Sequence, residues 1–430
     1  MQSPIPLVGV SWPGRGDLMA RVLLVQPAFP VSNKSLNHKD YLPIGLLKLG
    51  NLRKQLGDEV SLSLGEFRTD FHPDEILVTS LFTYWSRYVR DAVQFYRVCF
   101  PDAKITVGGI YASLARDHCA LFTGCDEVWP GVYPEAEECG PDYTLLDTPF
   151  QIIHASRGCV RKCAFCGTYE IEPDWVVKGS IEQEIVKNHL VFYDNNLLAN
   201  PHIENLLSEL STARVGGRVV TSESQSGFDG RVLLKRPDLA RMLKQARFRN
   251  PRIAWDGGLA EAASIRSQLD LLRDAGFSPK DTQVFMLYNH DLSLEILQSK
   301  VEHCYRWGVQ VADCRYRPLD LFEDGYKPYR RQQSQGEYYI HPGWTDSDVR
   351  GLRREVRINN ICLRYRIPRD RYSKGLEQLA GPERRRIALK LGIDKDRYTL
   401  AELDVINREW TRLKRDSSVS TRQRSLLEDA

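Results

Sequence analysis

Three cysteines crowd into Arg157-Gly158-Cys159-Val160-Arg161-Lys162-Cys163-Ala164-Phe165-Cys166-Gly167. Three thiolates this close in the chain can reach one metal centre. A structural zinc site takes four ligands and usually draws on a second Cys-x-x-Cys or a His pair. The chain has no other Cys-x-x-Cys, and His154 lies too close on the incoming strand to be an easy fourth ligand. A cuboidal iron–sulfur cluster prefers four cysteines, so three leave one iron open to a substrate or cofactor. Gly158 and Gly167 let backbone approach such a centre. Arg157, Arg161 and Lys162 would offset its negative charge, and Phe165 would shield it. A zinc site, an electron-transfer cluster and a reactive cluster are the chemistries weighed for this segment.

The Cys-x-x-x-Cys-x-x-Cys spacing, with an aromatic before the last Cys, resembles the radical S-adenosylmethionine (SAM) enzyme family. The resemblance implies that Cys159, Cys163 and Cys166 hold a 4Fe-4S cluster whose open iron chelates SAM. Reductive cleavage of SAM would then give a 5′-deoxyadenosyl radical for chemistry at an unactivated C–H bond. It also implies a low-potential electron donor such as flavodoxin or ferredoxin. The alternative is a zinc-stabilised nucleic-acid-binding protein without SAM chemistry.

The chain around the motif alternates strand-like and helix-like segments, so the expected fold class is α/β with a parallel sheet. Strands are expected at 151–156, 190–194, 218–222, 252–256, 283–288 and 309–315. Ser180 and Gln183 read as a capping box opening a helix over 181–187. Asn200-Pro201 opens another, closed by Gly216-Gly217. Six β/α units fall short of a complete barrel, and the resemblance implies a partial (β/α)6 barrel over 146–318. Ligands bind at the carboxyl ends of parallel strands, so the strand ends supply further candidates. Tyr193, Asp194 and Asn195 resemble in position the family segment that contacts the SAM amino group, and Asp194 is the leading non-cysteine candidate. Glu223 or Asp256 could bind SAM hydroxyls. Phe165 and Gly167 join the cofactor set. Arg315, Tyr316 and, further on, Arg353 are substrate candidates, an Arg at 315 being suited to a carboxylate or phosphate.

Residues 1–145 read as a separate doubly wound α/β domain. Its strand ends Val22–Pro27, Ser80-Leu81 and Val107–Gly109 resemble the cobalamin-binding domain that precedes many radical SAM domains. The usual Asp-x-His-x-x-Gly is absent. Cobalamin bound without a protein His, with Ser80, Gly108 and Gly109 lining its tail, is one reading. A domain kept for packing and substrate binding is the other.

Residues 319–430 differ in composition. An aromatic stretch over 322–344 is expected to cover the barrel, followed by a mainly helical region. Val349, Leu352, Val356 and Leu363 share one side of the first helix, and Arg350, Arg353, Arg354 and Arg357 another. Residues 350–430 carry 21 Lys/Arg against 12 Asp/Glu, so the overall charge of +3 conceals an acidic body and a basic end. Such a stripe binds nucleic-acid phosphates or forms a salt-bridged face. At 430 residues and 42% apolar, the chain suffices for two or three cores. No run of eighteen apolar residues occurs, so no membrane span is expected. With no secretion signal visible, the ten cysteines suit a reducing cytoplasm better than a disulfide framework.

Overall fold

The segment β1 (Arg21–Gln26) reads Arg-Val-Leu-Leu-Val-Gln, and its four apolar residues are all buried. A strand apolar on both faces must lie between two layers. Val22 and Leu24 join Leu46 and Leu77 on one face, while Leu23 and Val25 pack with Val89 and Val93 on the other. The layers are the helices Ile44–Gln55 and Ser86–Cys99. β2 (Glu59–Leu64), β3 (Glu75–Ser80), β4 (Lys104–Gly109) and β5 (Glu127–Trp129) complete a five-stranded sheet in the order β2-β1-β3-β4-β5. Every pairing is parallel. The strand order reverses between β1 and β3, which leaves a crevice at their carboxyl ends. The computed structural model describes residues 19–30, 42–365, 368–369, 388–392, 402, 405–406 and 408–409. Most of the mainly helical region expected beyond Tyr365 lies outside them.

The second half is also α/β. β6 (Gln151–Ile153) leads to β7 (Ser156–Arg157), which pairs antiparallel with β8 (Val176–Val177). β9 (His189–Phe192) lies beside β6, then comes the hairpin β10 (Arg214–Val215) and β11 (Arg218–Val219). β12 (Thr221–Ser224) completes a parallel sheet in the order β12-β9-β6. β13 (Arg252–Ala254), β14 (Gln283–Tyr288) and β15 (Gln310–Arg315) form a second parallel sheet. Isolated bridges Ser222–Phe248 and Phe228–Ile253 link the two regions. The α/β class and parallel pairing are as expected, whereas closure into a barrel is not seen in the described strands. One apolar core runs from Ile153 through Trp255 and Met286 to Trp344, Leu352 and Val356. The helix Asp346–Tyr365 presents Val349, Leu352 and Val356 of its expected apolar side to this core, whereas Leu363 is only half-buried and outside it.

Two expected helix signals resolve differently. Residues 181–187 hold only a short 3-10 turn, Glu182–Glu184. Ser180 Oγ accepts from Glu182 N at 3.3 Å, and the chain is then pulled toward β6 by Gln151, whose Oε1 accepts from Val186 N at 2.9 Å. Gly216-Gly217 does not cap the preceding helix, which ends at Thr212. Both glycines have positive φ (56° and 77°) and make the turn of the β10–β11 hairpin. Among the described residues, no helix is long and apolar enough to cross a membrane.

Two local ties shape the crevice edge. Ser80 Oγ donates to Gly108 O at 2.7 Å and accepts from Ala112 N at 3.1 Å. Gly109 has φ 97°, and a Cβ there would sit 2.3 Å from Ser80 O. Gly109→Ala is expected to destabilise the fold by about 2 kcal/mol or more; a urea midpoint equal to wild type would refute this close approach.

Candidate functional site

The crevice at the carboxyl ends of β1, β3 and β4 is a cavity of about 380 Å³. Gln26, Ser80, Gly108 and Gly109 form its strand edge, and Leu42, Leu46, Leu81, Ile110 and Trp129 make its walls apolar. Its far end is charged. Lys48 pairs with Glu137 at 2.9 Å, and Arg157 pairs with Glu172 at 2.9 Å. Burial lowers the Lys48 pKa, against the pull of Glu137. His154 faces the same space and lies 2.9 Å from an Arg157 nitrogen. Burial, then the Arg157, Lys48 and Lys178 charges, hold it well below its ordinary pKa, so it is neutral. Two buried polar atoms of the lining, Gln26 Oε1 and Trp129 Nε1, have no hydrogen-bond partner among the described residues. An unpaired donor and acceptor in an apolar space are costly unless a ligand meets them.

The larger cleft, about 530 Å³, lies at the carboxyl ends of the second half's strands and contains the cysteine segment. Gly158, with φ 74°, begins that loop, and its N–H donates to Glu172 Oε2 at 2.6 Å. Across the cleft, Asp229 caps the helix Gly230–Lys235 and accepts from Arg231 Nε at 2.8 Å and Arg161 at 2.9 Å. Burial opposes the Asp229 charge, but hydrogen bonds from the two arginines outweigh it and lower its pKa. Asp256 also lines the cleft, and burial raises its pKa despite Lys300 and Arg231. Asn196 Oδ1 and Gln268 Oε1 are buried there without partners. The cleft thus offers carboxylates and free acceptors to a donor-rich ligand.

The structure divides the sequence candidates. Cys159, Cys163, Cys166, Phe165, Asn195 and Asp256 line the cleft. Ser80, Gly108, Gly109, Tyr193 and again Asn195 line the crevice. Gly167 caps the short helix Thr168–Ile171 and packs toward Leu114 and Leu319. Asp194 lines neither space. It is fully buried, accepting from Ser156 Oγ at 2.6 Å and Ala155 N at 3.1 Å. Glu223 is taken up by Asn250 at 3.1 Å and Arg252 at 3.5 Å. Arg315 is buried against Asp324 and stacks over Tyr326, while Tyr316 packs edge-on against His290. Arg353 faces Asp313 at 3.4 Å, and Arg350 pairs with Asp346 at 2.8 Å. Arg350 and Arg353 of the arginine stripe are therefore engaged within the chain. Asp229, Arg231, Lys48, Glu137 and Glu172 escaped notice in the sequence. Lys48 had a readable signal, a lysine beside Leu46 and Leu47 on the buried side of its helix.

The expected metal centre is not formed. Among the described residues, no three His, Cys, Asp or Glu side chains are grouped so as to hold a metal ion. Burial raises the Cys159 and Cys163 thiol pKa values above ordinary. Cys159 Sγ accepts from Arg161 N at 3.3 Å, and Cys166 Sγ donates to Thr168 Oγ1 at 3.2 Å. The 4Fe-4S cluster, the radical SAM assignment and the iron–sulfur enzyme class fall together, as does the zinc reading. SAM and cobalamin were expected through the same resemblance and lose that support. No protein-family model matches the chain, and comparison with curated proteins gives no match.

Asp194 gives a pH test. Burial, opposed by the Ser156 and Ala155 hydrogen bonds, pushes its pKa from 3.8 up to about 6. The folded state therefore holds the proton more tightly than the unfolded chain. The stability it contributes is complete below pH 3.8 and is lost as pH rises through 6, on the order of 3 kcal/mol. Asp194→Asn should remove this slope, apart from a pH-independent offset at Ala155 N. Urea unfolding at closely spaced pH values checks it, and parallel wild-type and variant curves would count against a buried, raised carboxyl.

Proposed function

We propose that this protein binds two small organic ligands side by side, one in the crevice and one in the cleft. The observation that carries the reading is the wall between them. Asn195 lines both spaces. Thr168 Oγ1, which accepts from the cleft thiol of Cys166, donates to Asn195 Oδ1 at 3.3 Å. Asn195 Nδ2 lies 3.5 Å from Glu172 Oε2, the carboxylate that pairs with Arg157 at the charged end of the crevice. One polar side chain thus stands between two ligand-sized spaces, each at the carboxyl edge of parallel strands, where such folds bind ligands.

The linings differ in what they favour. The crevice suits an elongated apolar body carrying one acceptor and one donor, met by Trp129 and Gln26, with a polar end toward Lys48 and Arg157. The cleft suits a polar molecule rich in hydroxyl or ammonium donors, met by Asp256, Glu261, Asn196 and Gln268. On this reading the domain expected over 1–145 supplies, through its described residues, most of the first ligand's seat, and Arg157 and Glu172 close the charged end. The two three-stranded sheets are parts of one open, partial barrel that seats the second. All ten cysteines are free thiols, which supports a reducing, cytoplasmic setting.

Thermal-shift screening against nucleosides, amino sugars and polyols tests the cleft. A ligand at a hundred times its Kd should stabilise the protein by about 2.7 kcal/mol, roughly 2–4 °C for a chain of this size. Asp256→Asn should abolish the shift, whereas Trp129→Phe, in the crevice, should leave it unchanged. A screen with no stabiliser sensitive to Asp256→Asn overturns the reading of the cleft.

A further inference from the structure

Lys300 lies on the helix Leu294–Trp307, on the face that buries Leu297, Val301 and Cys304. It is fully buried. A long cation on an apolar face is costly, and a methionine would fill the same volume without that cost. The ammonium nevertheless meets a shaped environment. Its Nζ donates to Trp255 O at 2.7 Å and Gly257 O at 3.0 Å, and it sits 4.9 Å from the Trp255 ring centre. Trp255 Nε1 donates to Gly258 O at 3.1 Å. Three carbonyls of the turn after β13 therefore point into the protein, toward Lys300 and the indole. The residue between two of them, Asp256, lines the cleft.

From this juxtaposition we propose that Lys300 is a positioning residue for the cleft: it grips the carbonyls on both sides of Asp256 and supplies the buried counter-charge for the Asp256 carboxylate. The proposal rests on the reading of the cleft as a ligand site, because only a ligand gives a carboxylate held there its use. Backbone carbonyls alone do not account for a full positive charge. Two carboxylates, Asp256 and Glu261, act on the ammonium from the cleft side, and the Cys304 thiol acts from its own helix. His303 packs against the same indole. On the other side, Asp256 also feels Arg231, Glu261 and Asp229. Burial lowers the Lys300 pKa from 10.5 to about 8, with Asp256 opposing the fall. Charged Lys300 is therefore held more weakly in the fold than in the open chain. Stability should rise as pH climbs from about 8 toward 10.5.

A ligand-free double-mutant cycle tests the proposal. Unfolding by urea is measured for wild type, Lys300→Met, Asp256→Asn and the double variant at pH 7. If Lys300 serves the Asp256 charge, its loss should hurt far less once Asp256 is neutral. The coupling should then be at least about tenfold in the unfolding constant beyond additivity. A lysine that only holds backbone carbonyls gives additive effects, and additivity overturns the proposal. Should Lys300→Met not fold, wild type and Asp256→Asn are compared from pH 6 to 10. The rise in stability should begin lower in Asp256→Asn, by about half a pH unit or more, and an unchanged onset overturns the proposal. Neither arm uses a ligand. Coupling without any cleft ligand in the screen would refute the binding function alone, and a ligand without coupling would refute Lys300's role alone.

Discussion

A carboxyl with no access to water ties together the part of the molecule on which both pockets depend. Asp194 follows β9 and binds Ala155, which lies between β6 and β7, and Ser156, the first residue of the β7–β8 ribbon. The next residue, Asn195, is thereby fixed between the crevice and the cleft. Asn200 reinforces the arrangement, donating to Ala155 O at 3.0 Å and Lys178 O at 3.2 Å. The cost of this buried acid appears in its raised pKa. In return, the start of the cysteine loop has a defined direction.

Other buried polar groups follow the same logic. Asn289 adopts φ 58° and is fully buried. Its side chain accepts from His341 N at 2.9 Å and donates to Tyr339 O and Tyr316 O, stitching the aromatic stretch over the ends of β14 and β15. Phe322 stacks on His118 at 3.6 Å, and its carbonyl accepts from Ser86 Oγ at 2.7 Å. The chain after β15 thus returns to the first domain. Polar groups at strand ends that look available in sequence are mostly consumed by such ties.

Much of the scaffold was legible. β14 and β15 lie close to their expected places, because apolar runs bounded by glycine or helix caps leave little choice. Gly308 ends its helix in a left-handed conformation as its position suggests. Short elements were not legible. The hairpin at Gly216-Gly217 and the failed helix near Glu182 depend on where the neighbouring segments lie, and the capping pattern alone could not report Gln151. At the site, cysteine spacing suggested a shared metal. Spacing limits which thiols can meet, but it does not set their rotamers, protonation or hydrogen bonds.

The sequence by itself determined the α/β class, the parallel pairing of the strands and the basic composition of the C-terminal end. These follow from periodicity and charge, which local chemistry expresses directly. Only the tertiary structure decided that the three cysteines line a cleft and belong to no metal-holding group among the described residues, that Asp194 and Arg315 are internal ties and that Lys300 lies behind Asp256. Desolvation and pairing depend on residues far apart in the chain. A carboxylate or lysine therefore acquires its role only when the fold has chosen its neighbours.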